Sequence, residues 1–426
     1  MKLTIYQSDK GDCLLLSAGT KDDPYHVLID GGMGESYTTH VAKKLGTLPK
    51  LDVVYVSHID EDHISGILKM MDDALEWRIY DYRQEKGISH PKPEARRPPP
   101  LDRVWHNAFH DQIKKNSGPI EDMAIATASL AAASPELMPL AIRCQELANS
   151  VPQAIQLSQR ISTKQLKLRH NEKAGKLLEA GDGKKTIKVG PMTFTIIGPF
   201  RDELVALRKE WNEWLSANEA RVKKLRAKAI SDSAKLAVGS FEDVEAHLAA
   251  RAADLGDRTQ VTVPNLASLM FLAEEDGRSI LLTGDGHWQT ILNGLEKTKK
   301  MPKGGGLHVN VLKVQHHGSE NNITLEFCRR VTADHYVFCG NGAHDNPDLA
   351  VIDAIVASRT GTTISDNPQA KKKYKLWFNS HASITKTKLR GYMEKVETRV
   401  KAHAVASHGQ LTHAFLKEDA FPAWKV

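Results

Sequence analysis

The hydrophobic pattern of the first 71 residues predicts short strands separated by polar turns. Apolar runs at residues 3–6, 13–17 and 26–29 are broken by turn residues, which is typical of strands joined by tight connections. Residues 51–56 form an apolar, β-branched run that predicts a buried strand. Residues 64–71 then have the pattern of a helix. Strands that alternate with helices indicate the α/β class.

The strand pattern returns in the second half of the chain. Residues 186–189 and 192–197 predict a hairpin around Gly190 and Pro191, and Asp276-Gly277 predicts the turn of another hairpin. The remaining predicted elements are strands at residues 279–282, 309–314 and 334–339 and a helix at residues 348–357.

Residues 72–185 interrupt this pattern. Residues 90–101 are rich in proline and predict a linker or surface loop, whereas residues 121–149 are rich in alanine with apolar residues at helical spacing. We therefore expect a mostly helical insertion that covers one side of the sheet. A long helix is predicted at residues 201–228, with an apolar stripe that is typical of a core-facing surface.

Composition sets broad limits on the protein class. The chain has 426 residues, a net charge of +6 and four cysteines without a C-x-x-C pair, which favours a reduced, cytoplasmic protein. No run of 18 apolar residues is present, so no membrane span is expected. The N-terminus begins directly as a predicted strand, and no signal peptide is expected. The positive charge is compatible with a polyanionic partner without requiring one.

Candidate chemistry is concentrated on the turn between the strand at residues 51–56 and the following helix. This turn contains His58, Asp60, Asp62 and His63. Ligands bind at such strand ends in open α/β sheets, and imidazole with carboxylate suits Zn²⁺ or Mn²⁺. The alternative interpretation is a solvated acidic turn, since short motifs produce false matches.

Three further signals also lie at the ends of predicted strands. They are Asp30-Gly31-Gly32, Thr283-Gly284-Asp285 and His316-His317-Gly318-Ser319. Adjacent residues at a strand end point to opposite sides, so only one of His316 and His317 is expected to face a metal.

The four signals, taken in this order, resemble the motifs of the metallo-β-lactamase fold hydrolases. The H-x-D-x-D-H variant and the H-H-G-S motif are similar to the ComEC-like branch, named for the hydrolase domain of a competence DNA-uptake protein. The resemblance implies an αββα sandwich with a large, mostly helical insertion. It divides the chain into a first half of the hydrolase domain (1–71), the insertion (72–185), a second half (186–370) and a C-terminal extension (371–426).

The resemblance also implies a site for two divalent metal ions, Zn or Mn, with Asp285 bridging them. Asp30 is expected to orient a metal-bound histidine, and Asp62 and His63 are the candidate catalytic residues that manage the proton. Asp60 stands where the family usually has histidine, and its hard oxygen should favour Mn²⁺ or Mg²⁺. The full expected ligand set is His58, Asp60, Asp62, His63, Asp285, His316 and His317.

One motif departs from the family pattern. The branch usually has a histidine directly before a proline after the strand at 334–339, but here that position is Asn346. His344 lies two residues earlier. Either His344 takes the place of this late histidine or the ligand is missing.

These expectations lead to a phosphodiesterase or nuclease that acts on DNA through a metal-activated water. The candidate nucleic-acid contacts are Lys223, Lys224, Arg226 and Lys228 at the end of the predicted helix 201–228, although a solvated face is the alternative. A small-molecule phosphodiester, cyclic-nucleotide or lactone hydrolase of the same fold is the first rival. A regulatory interaction module, with a protein partner bound through the insertion, is the second. The sequence does not set the oligomeric state.

Overall fold

The computed structural model describes residues 1–107, 267–360 and 372–426, most of residues 165–204, residue 369 and six positions between 153 and 162. The strands are β1 (Lys2–Ile5), β2 (Leu14–Gly19), β3 (Pro24–Ile29), β4 (Val53–Tyr55), β5 (Arg103–Trp105), β6 (Arg169–His170), β7 (Thr186–Val189), β8 (Met192–Gly198), β9 (Met270–Glu275), β10 (Arg278–Leu282), β11 (Leu307–Lys313), β12 (Val331–Phe338), β13 (Tyr374–Phe378), β14 (Leu411–Phe415) and β15 (Trp424–Lys425).

Helices connect several of these strands within the described residues. They are α1 (Gly34–Ser36), a π-helical turn (Tyr37–Val41), α2 (Ala42–Leu45), α3 (Glu61–Glu85), α4 (Trp288–Lys297), α5 (Leu325–Arg330), α6 (Leu349–Thr360) and α7 (Thr387–Ala406), with 3₁₀ turns at Gln315–Gly318 and Ala343–Asp345. No helix in the described ranges is both long enough and apolar enough to cross a membrane.

The strands form two mixed sheets. Sheet 1 has the order β15-β1-β2-β3-β4-β5-β6 and sheet 2 the order β14-β13-β12-β11-β10-β9-β8-β7. Each sheet contains an antiparallel part and a parallel part: β3 to β6 are parallel in sheet 1, and β10 to β14 are parallel in sheet 2. The carboxyl ends of the parallel strands therefore lie at one edge of each sheet.

Three apolar clusters hold the layers together. One cluster combines residues of both sheets, including Val27 and Tyr55 of sheet 1 and Phe271 of sheet 2, so the two sheets face each other across a shared core. A second cluster packs sheet 2 against α4 to α7, and a third packs sheet 1 against α2 and α3. The protein is thus of the α/β class with two mixed sheets, which is compatible with the expected sandwich.

Most of the predicted strands and helices are confirmed. The runs at residues 3–6, 13–17, 26–29 and 51–56 correspond to β1 to β4, and the two predicted hairpins are β7–β8 and β9–β10. The predicted helix at 348–357 is α6. These elements were predictable because each combines a local apolar pattern with turn residues at its ends.

The predicted segment boundaries do not coincide with the ends of helices or of sheets. The boundary at residue 72 falls inside α3, and the described part of residues 72–185 includes β5 and β6, which pair with β4 and with each other in sheet 1. Residues 371–426 contain β13 and β14 of sheet 2, and β15 pairs with β1 of sheet 1. Both stretches therefore contribute strands to the two sheets. The predicted helices at 121–149 and beyond residue 204 lie outside the described residues.

Candidate metal centre

The candidate site lies where strand ends of the two sheets meet. In sheet 1, Asp30 follows β3 and His58 follows β4, while Asp62 and His63 are in the first turn of α3. In sheet 2, Asp285 follows β10, and His316 and His317 follow β11. The four sequence signals thus come together as predicted, because each lies at the carboxyl end of a strand or at the start of the helix that follows it.

Glycines allow α3 to approach the end of β3 closely. A Cβ atom on Gly31 would lie 2.4 Å from the backbone nitrogen of Ile67, and one on Gly66 would lie 2.0 Å from the carbonyl oxygen of Gly31. The backbone nitrogen of Gly31 donates to the carbonyl of His63 at 2.8 Å. The D-G-G sequence therefore places the start of α3, with His63, directly against the strand end that carries Asp30.

Asp285 is the centre of the arrangement. It is 2% exposed, and the Nε2 atoms of four histidines lie close to its carboxylate. Oδ1 lies 3.4 Å from Nε2 of His63. The distances from Oδ2 are 3.6 Å to Nε2 of His58, 3.7 Å to Nε2 of His316 and 3.5 Å to Nε2 of His317.

The opposite nitrogen of each ring has its own neighbour. Nδ1 of His63 lies 2.9 Å from Oδ2 of Asp30, the acid expected to orient a metal-bound histidine. The other three contacts are Ser57 Oγ at 3.0 Å from Nδ1 of His58, Asn322 Oδ1 at 2.6 Å from Nδ1 of His316 and Asp12 Oδ1 at 3.3 Å from Nδ1 of His317. This is the arrangement found at metal sites, where a neighbour of one ring nitrogen orients the other toward the ion.

The two remaining predicted carboxylates extend the group on either side of Asp285. Oδ2 of Asp60 lies 3.5 Å from Nε2 of His58. Oδ2 of Asp62 lies 3.2 Å from Nε2 of His317. The site therefore has one part around His58 and Asp60 and another around His317 and Asp62, with Asp285 and His63 between them.

The expectation that only one of the two adjacent histidines faces the site is wrong. It assumed extended backbone, in which successive side chains point to opposite sides. His316 and His317 instead have left-handed φ values of 47° and 56°. Both rings consequently approach Asp285.

Sequence reasoning missed two buried members of this centre, Asp12 and Lys313. The sequence pattern places Asp12 in a turn and Lys313 in a strand, without connecting either residue to the site. Asp12 is 1% exposed and Lys313 is 2% exposed, and their side chains form an ion pair. A lysine among the apolar residues Val311, Leu312 and Val314 was the available signal, because lysine is almost never fully buried unless it is paired.

Two groups of side chains in the described residues are compact enough to hold an ion. One consists of Asp12, His63 and His317, and the other of His58, His63 and Asp285; within each group the ligand atoms lie within 4.8 Å of one another. Neither group includes a residue of the late motif. His344 lies in the 3₁₀ turn Ala343–Asp345 with an exposed side chain, whereas Asn346 is buried. A metal-binding role for His344 stays a prediction.

The electrostatics of the site depend on its carboxylates. Burial lowers the pKa of His317, but Asp285, Asp12 and Asp62 outweigh burial and raise it to about 9. Burial also lowers the pKa of His63, but Asp285, Asp12 and Asp30 raise it well above its ordinary value. Burial raises the pKa of Asp285, but the surrounding histidines hold it well below the ordinary range. In the absence of a metal ion, protons on the rings of His63 and His317 therefore balance part of the negative charge of the carboxylates.

The residues fit divalent cations. With neutral histidines, the five carboxylates of Asp12, Asp30, Asp60, Asp62 and Asp285 and the ammonium of Lys313 carry a net charge of −4, which two divalent ions would neutralise. Nε2 of His58 is buried and hydrogen-bonds no described residue. An ion between this nitrogen and Asp285 would give it a partner.

The candidate nucleic-acid contacts Lys223, Lys224, Arg226 and Lys228 lie outside the described residues. Neither a protein-family model nor a curated protein sequence matches this chain. The interpretation of the centre consequently depends on its own geometry: four imidazole Nε2 atoms and at least three carboxylates around one buried edge of two facing sheets.

Proposed function

We propose that this protein is a metal-dependent hydrolase of the metallo-β-lactamase fold, of the ComEC-like type, that cleaves phosphodiester bonds, with DNA as its first candidate substrate. The observation that carries the proposal is the convergence of four histidine Nε2 atoms on the buried carboxylate of Asp285. Nitrogen and carboxylate donors of this kind suit Zn²⁺ or Mn²⁺. A solvated acidic turn would leave these side chains exposed, and it does not explain their burial.

The ligand roles follow from the two parts of the site and from the family resemblance, in which the aspartate and the last histidine of the motif bind the second ion. His58 and Asp60 would hold one ion, and His63, His317 and Asp62 would hold the other, with Asp285 shared between them. When bound, two such ions would supply Lewis acidity that lowers the pKa of a water molecule toward neutral pH.

The protein side chains supply orientation and proton transfer. Asp30 orients His63 through the hydrogen bond to Nδ1, and the carboxylate of Asp12 lies 3.3 Å from Nδ1 of His317, so that the Nε2 atoms of both rings are directed at Asp285. His63 therefore acts by holding the centre in place. Asp62, whose side chain is 18% exposed and therefore within reach of water, is the residue proposed to accept or deliver a proton.

A phosphodiester is the favoured substrate class for a chemical reason. A two-metal site neutralises the charge that develops on phosphate oxygens during in-line displacement. The net charge of +6 favours a polyanion over a neutral lactone. DNA as the particular polyanion is a proposal that comes from the ComEC-like resemblance and from the basic cluster at residues 223–228.

The test compares metals and substrates in one experiment. Protein stripped with a chelator is reloaded with Mn²⁺, Zn²⁺ or Mg²⁺ and incubated with plasmid DNA, single-stranded DNA, RNA and bis-p-nitrophenyl phosphate. We expect cleavage that requires metal and is lost in His63→Ala. His40→Ala is the matched control, because His40 pairs with Asp419 instead of Asp285.

The outcomes separate the rival functions. Cleavage of the small phosphodiester without cleavage of any nucleic acid would make the small-molecule hydrolase the better assignment. Stoichiometric metal binding without any hydrolysis would favour the regulatory module. A protein that binds no divalent metal would contradict the proposed function altogether.

A further inference from the structure

Lys313 occupies an unusual position for a lysine. It is the last residue of β11, and its ammonium is buried where sheet 2 faces sheet 1. The hydroxyl of Thr283 donates to the carbonyl oxygen of Lys313 at 2.7 Å, which joins the ends of β10 and β11 beneath Asp285. A buried ammonium is costly unless several acceptors surround it, and such acceptors are present here.

Three acceptors surround Nζ of Lys313, and two of them are carboxylates of the candidate centre. Nζ forms an ion pair with Oδ2 of Asp12, which lies in the turn between β1 and β2 of sheet 1, and donates to the carbonyl of Gly284 at 2.9 Å. It also lies 3.5 Å from Oδ1 of Asp285. One ammonium thus links the β1–β2 turn of sheet 1 to the segment after β10 of sheet 2, and it contacts two acids that have different roles in the centre.

Asp12 and Asp285 contact the centre differently: Asp12 lies beside one histidine, whereas the carboxylate of Asp285 faces several histidines directly. Oδ1 of Asp12 lies 3.3 Å from Nδ1 of His317, while Oδ2 is the atom that pairs with Lys313. In Asp285, Lys313 lies on the Oδ1 side, and Nε2 atoms of three histidines are nearest to Oδ2. Lys313 therefore fixes the rotation of both carboxylates.

We propose that Lys313 is a positioning residue of the metal centre, which holds Asp285 directly and His317 through Asp12 in the orientation that binds metal. The inference rests on the proposed function, because it concerns ligands of the same two ions. Lys313 contacts no reacting atom and is not a catalytic residue. Its effect should appear first in metal affinity.

Charge and positioning predict opposite results when the lysine is removed. Lys313→Met keeps much of the side-chain volume but removes one positive charge, so the centre becomes more negative. Coulomb attraction alone would then make metal binding tighter. Loss of positioning should instead weaken Mn²⁺ binding about 10- to 100-fold, as is typical when residues behind metal ligands are replaced.

The experiment measures Mn²⁺ binding directly, by the electron paramagnetic resonance signal of free Mn²⁺ in titrations of the full chain. It compares the parent with Lys313→Met, Asp12→Asn and the double variant. Lys300→Met is the control, because Lys300 pairs with Glu274, and the register of β9 with β10 places Glu274 at the strand end away from Asp285. We expect weaker binding in all three test variants and parental binding in the control.

The double variant separates positioning from a purely structural role. Removing both members of a buried ion pair is often nearly neutral for folding, whereas removing one leaves an uncompensated charge. Circular dichroism should show a higher melting temperature in the double variant than in Lys313→Met, while Mn²⁺ binding stays weak. The double variant therefore tests positioning even if Lys313→Met alone does not fold.

Two results would overturn the inference without affecting the proposed function. One is parental or tighter Mn²⁺ binding by a folded Lys313→Met. The other is a double variant that recovers parental affinity together with its stability. A parent protein that binds no metal would contradict the proposed function and this inference together.

Discussion

Oδ2 of Asp30 lies 2.9 Å from Nδ1 of His63, although the two residues are 33 positions apart in the chain. The same carboxylate accepts hydrogen bonds from the backbone nitrogen of Ser57 at 2.7 Å and from its hydroxyl at 2.6 Å. Asp30 is fully buried, so it has a fixed orientation. With Nδ1 directed at Asp30, Nε2 is directed toward Asp285, and in the neutral ring its lone pair would be available to a metal ion there.

Asp30→Asn should therefore weaken metal binding. The substitution preserves the shape of the side chain but removes the charge that holds the Nδ1 proton of His63, and replacements of this kind typically cost about 10- to 100-fold in metal affinity. Competitive titration with a chromophoric chelator measures the change.

Asp52→Asn is the matched control for this prediction. Asp52 is also buried and accepts from the backbone nitrogen of His26 at 2.8 Å, but it precedes β4, at the end opposite His58. It should reduce the melting temperature without changing metal affinity. Equal metal affinities in Asp30→Asn and the parent would show that Asp30 does not orient a ligand.

Asp60→His should shift the metal preference from Mn²⁺ toward Zn²⁺. Oδ2 of Asp60 lies 3.5 Å from Nε2 of His58, so the change replaces a hard oxygen donor with a nitrogen donor in one part of the site. The measurement is the ratio of Mn²⁺- to Zn²⁺-supported activity and of the two dissociation constants. Glu61→His is the control, since Glu61 is exposed on the first turn of α3. Identical metal profiles in Asp60→His and the parent would show that Asp60 does not tune the centre.

The pKa of His317 predicts how the metal-free protein responds to pH. It is raised to about 9 in the folded state, above an unfolded value of about 6.5. The stabilising contribution of the protonated ring is therefore fully present below about pH 6.5 and is lost as pH rises toward 9. Metal binding requires the neutral ring, so metal affinity should increase over the same interval.

Thermal unfolding at several pH values tests the direction of this predicted change in stability. The chelator-treated parent should lose stability between about pH 6.5 and 9, and the Mn²⁺-loaded protein should lose less. His317→Gln removes the titrating ring, so its metal-free stability should depend less on pH in this range. A parent whose metal-free stability rises across the interval would contradict the assignment of protonated His317.

The parts of the site that could be predicted are those tied to local patterns. His58, Asp62 and Asp285 each follow a recognisable strand or begin a recognisable helix, and parallel strands bring such ends to one edge. Asp12 and Lys313 are 301 positions apart, and no local pattern relates a turn acid in sheet 1 to a strand lysine in sheet 2. Their pairing depends on how the two sheets face each other.

Backbone conformation and long-range strand pairing explain the other differences between the sequence-based predictions and the structure. Extended geometry at His316 and His317 would separate the two rings, but their left-handed φ values turn both toward the same acid. The pairing of β15 with β1 joins residues near opposite ends of the chain, which neither apolar spacing nor turn residues could indicate. Sequence periodicity reports which face of an element is buried, not which distant strand lies beside it.

The proposed DNA cleavage should depend separately on the binding of the polymer and on the chemical step at the metal centre. Neutralising Lys223, Lys224, Arg226 and Lys228 together should weaken DNA binding. The slope of log affinity against log salt should become shallower by about 0.9 for each phosphate that the variant no longer neutralises. Cleavage of a small phosphodiester should barely change. His63→Ala should abolish both activities, because it removes the ring that lies 3.4 Å from Asp285.

A control with equal charge loss is needed to interpret the quadruple variant. The exposed residues Lys43, Lys44, Lys388 and Lys395 provide it, because their replacement lowers the net charge by the same amount at other positions. If both quadruple variants weaken DNA binding equally, net charge alone is responsible. If the variant at residues 223–228 cleaves DNA as well as the parent across the salt titration, the cluster is a solvated face and other residues must contact the DNA. If the parent cleaves no nucleic acid with any metal, the small-molecule hydrolase becomes the better interpretation of the same centre.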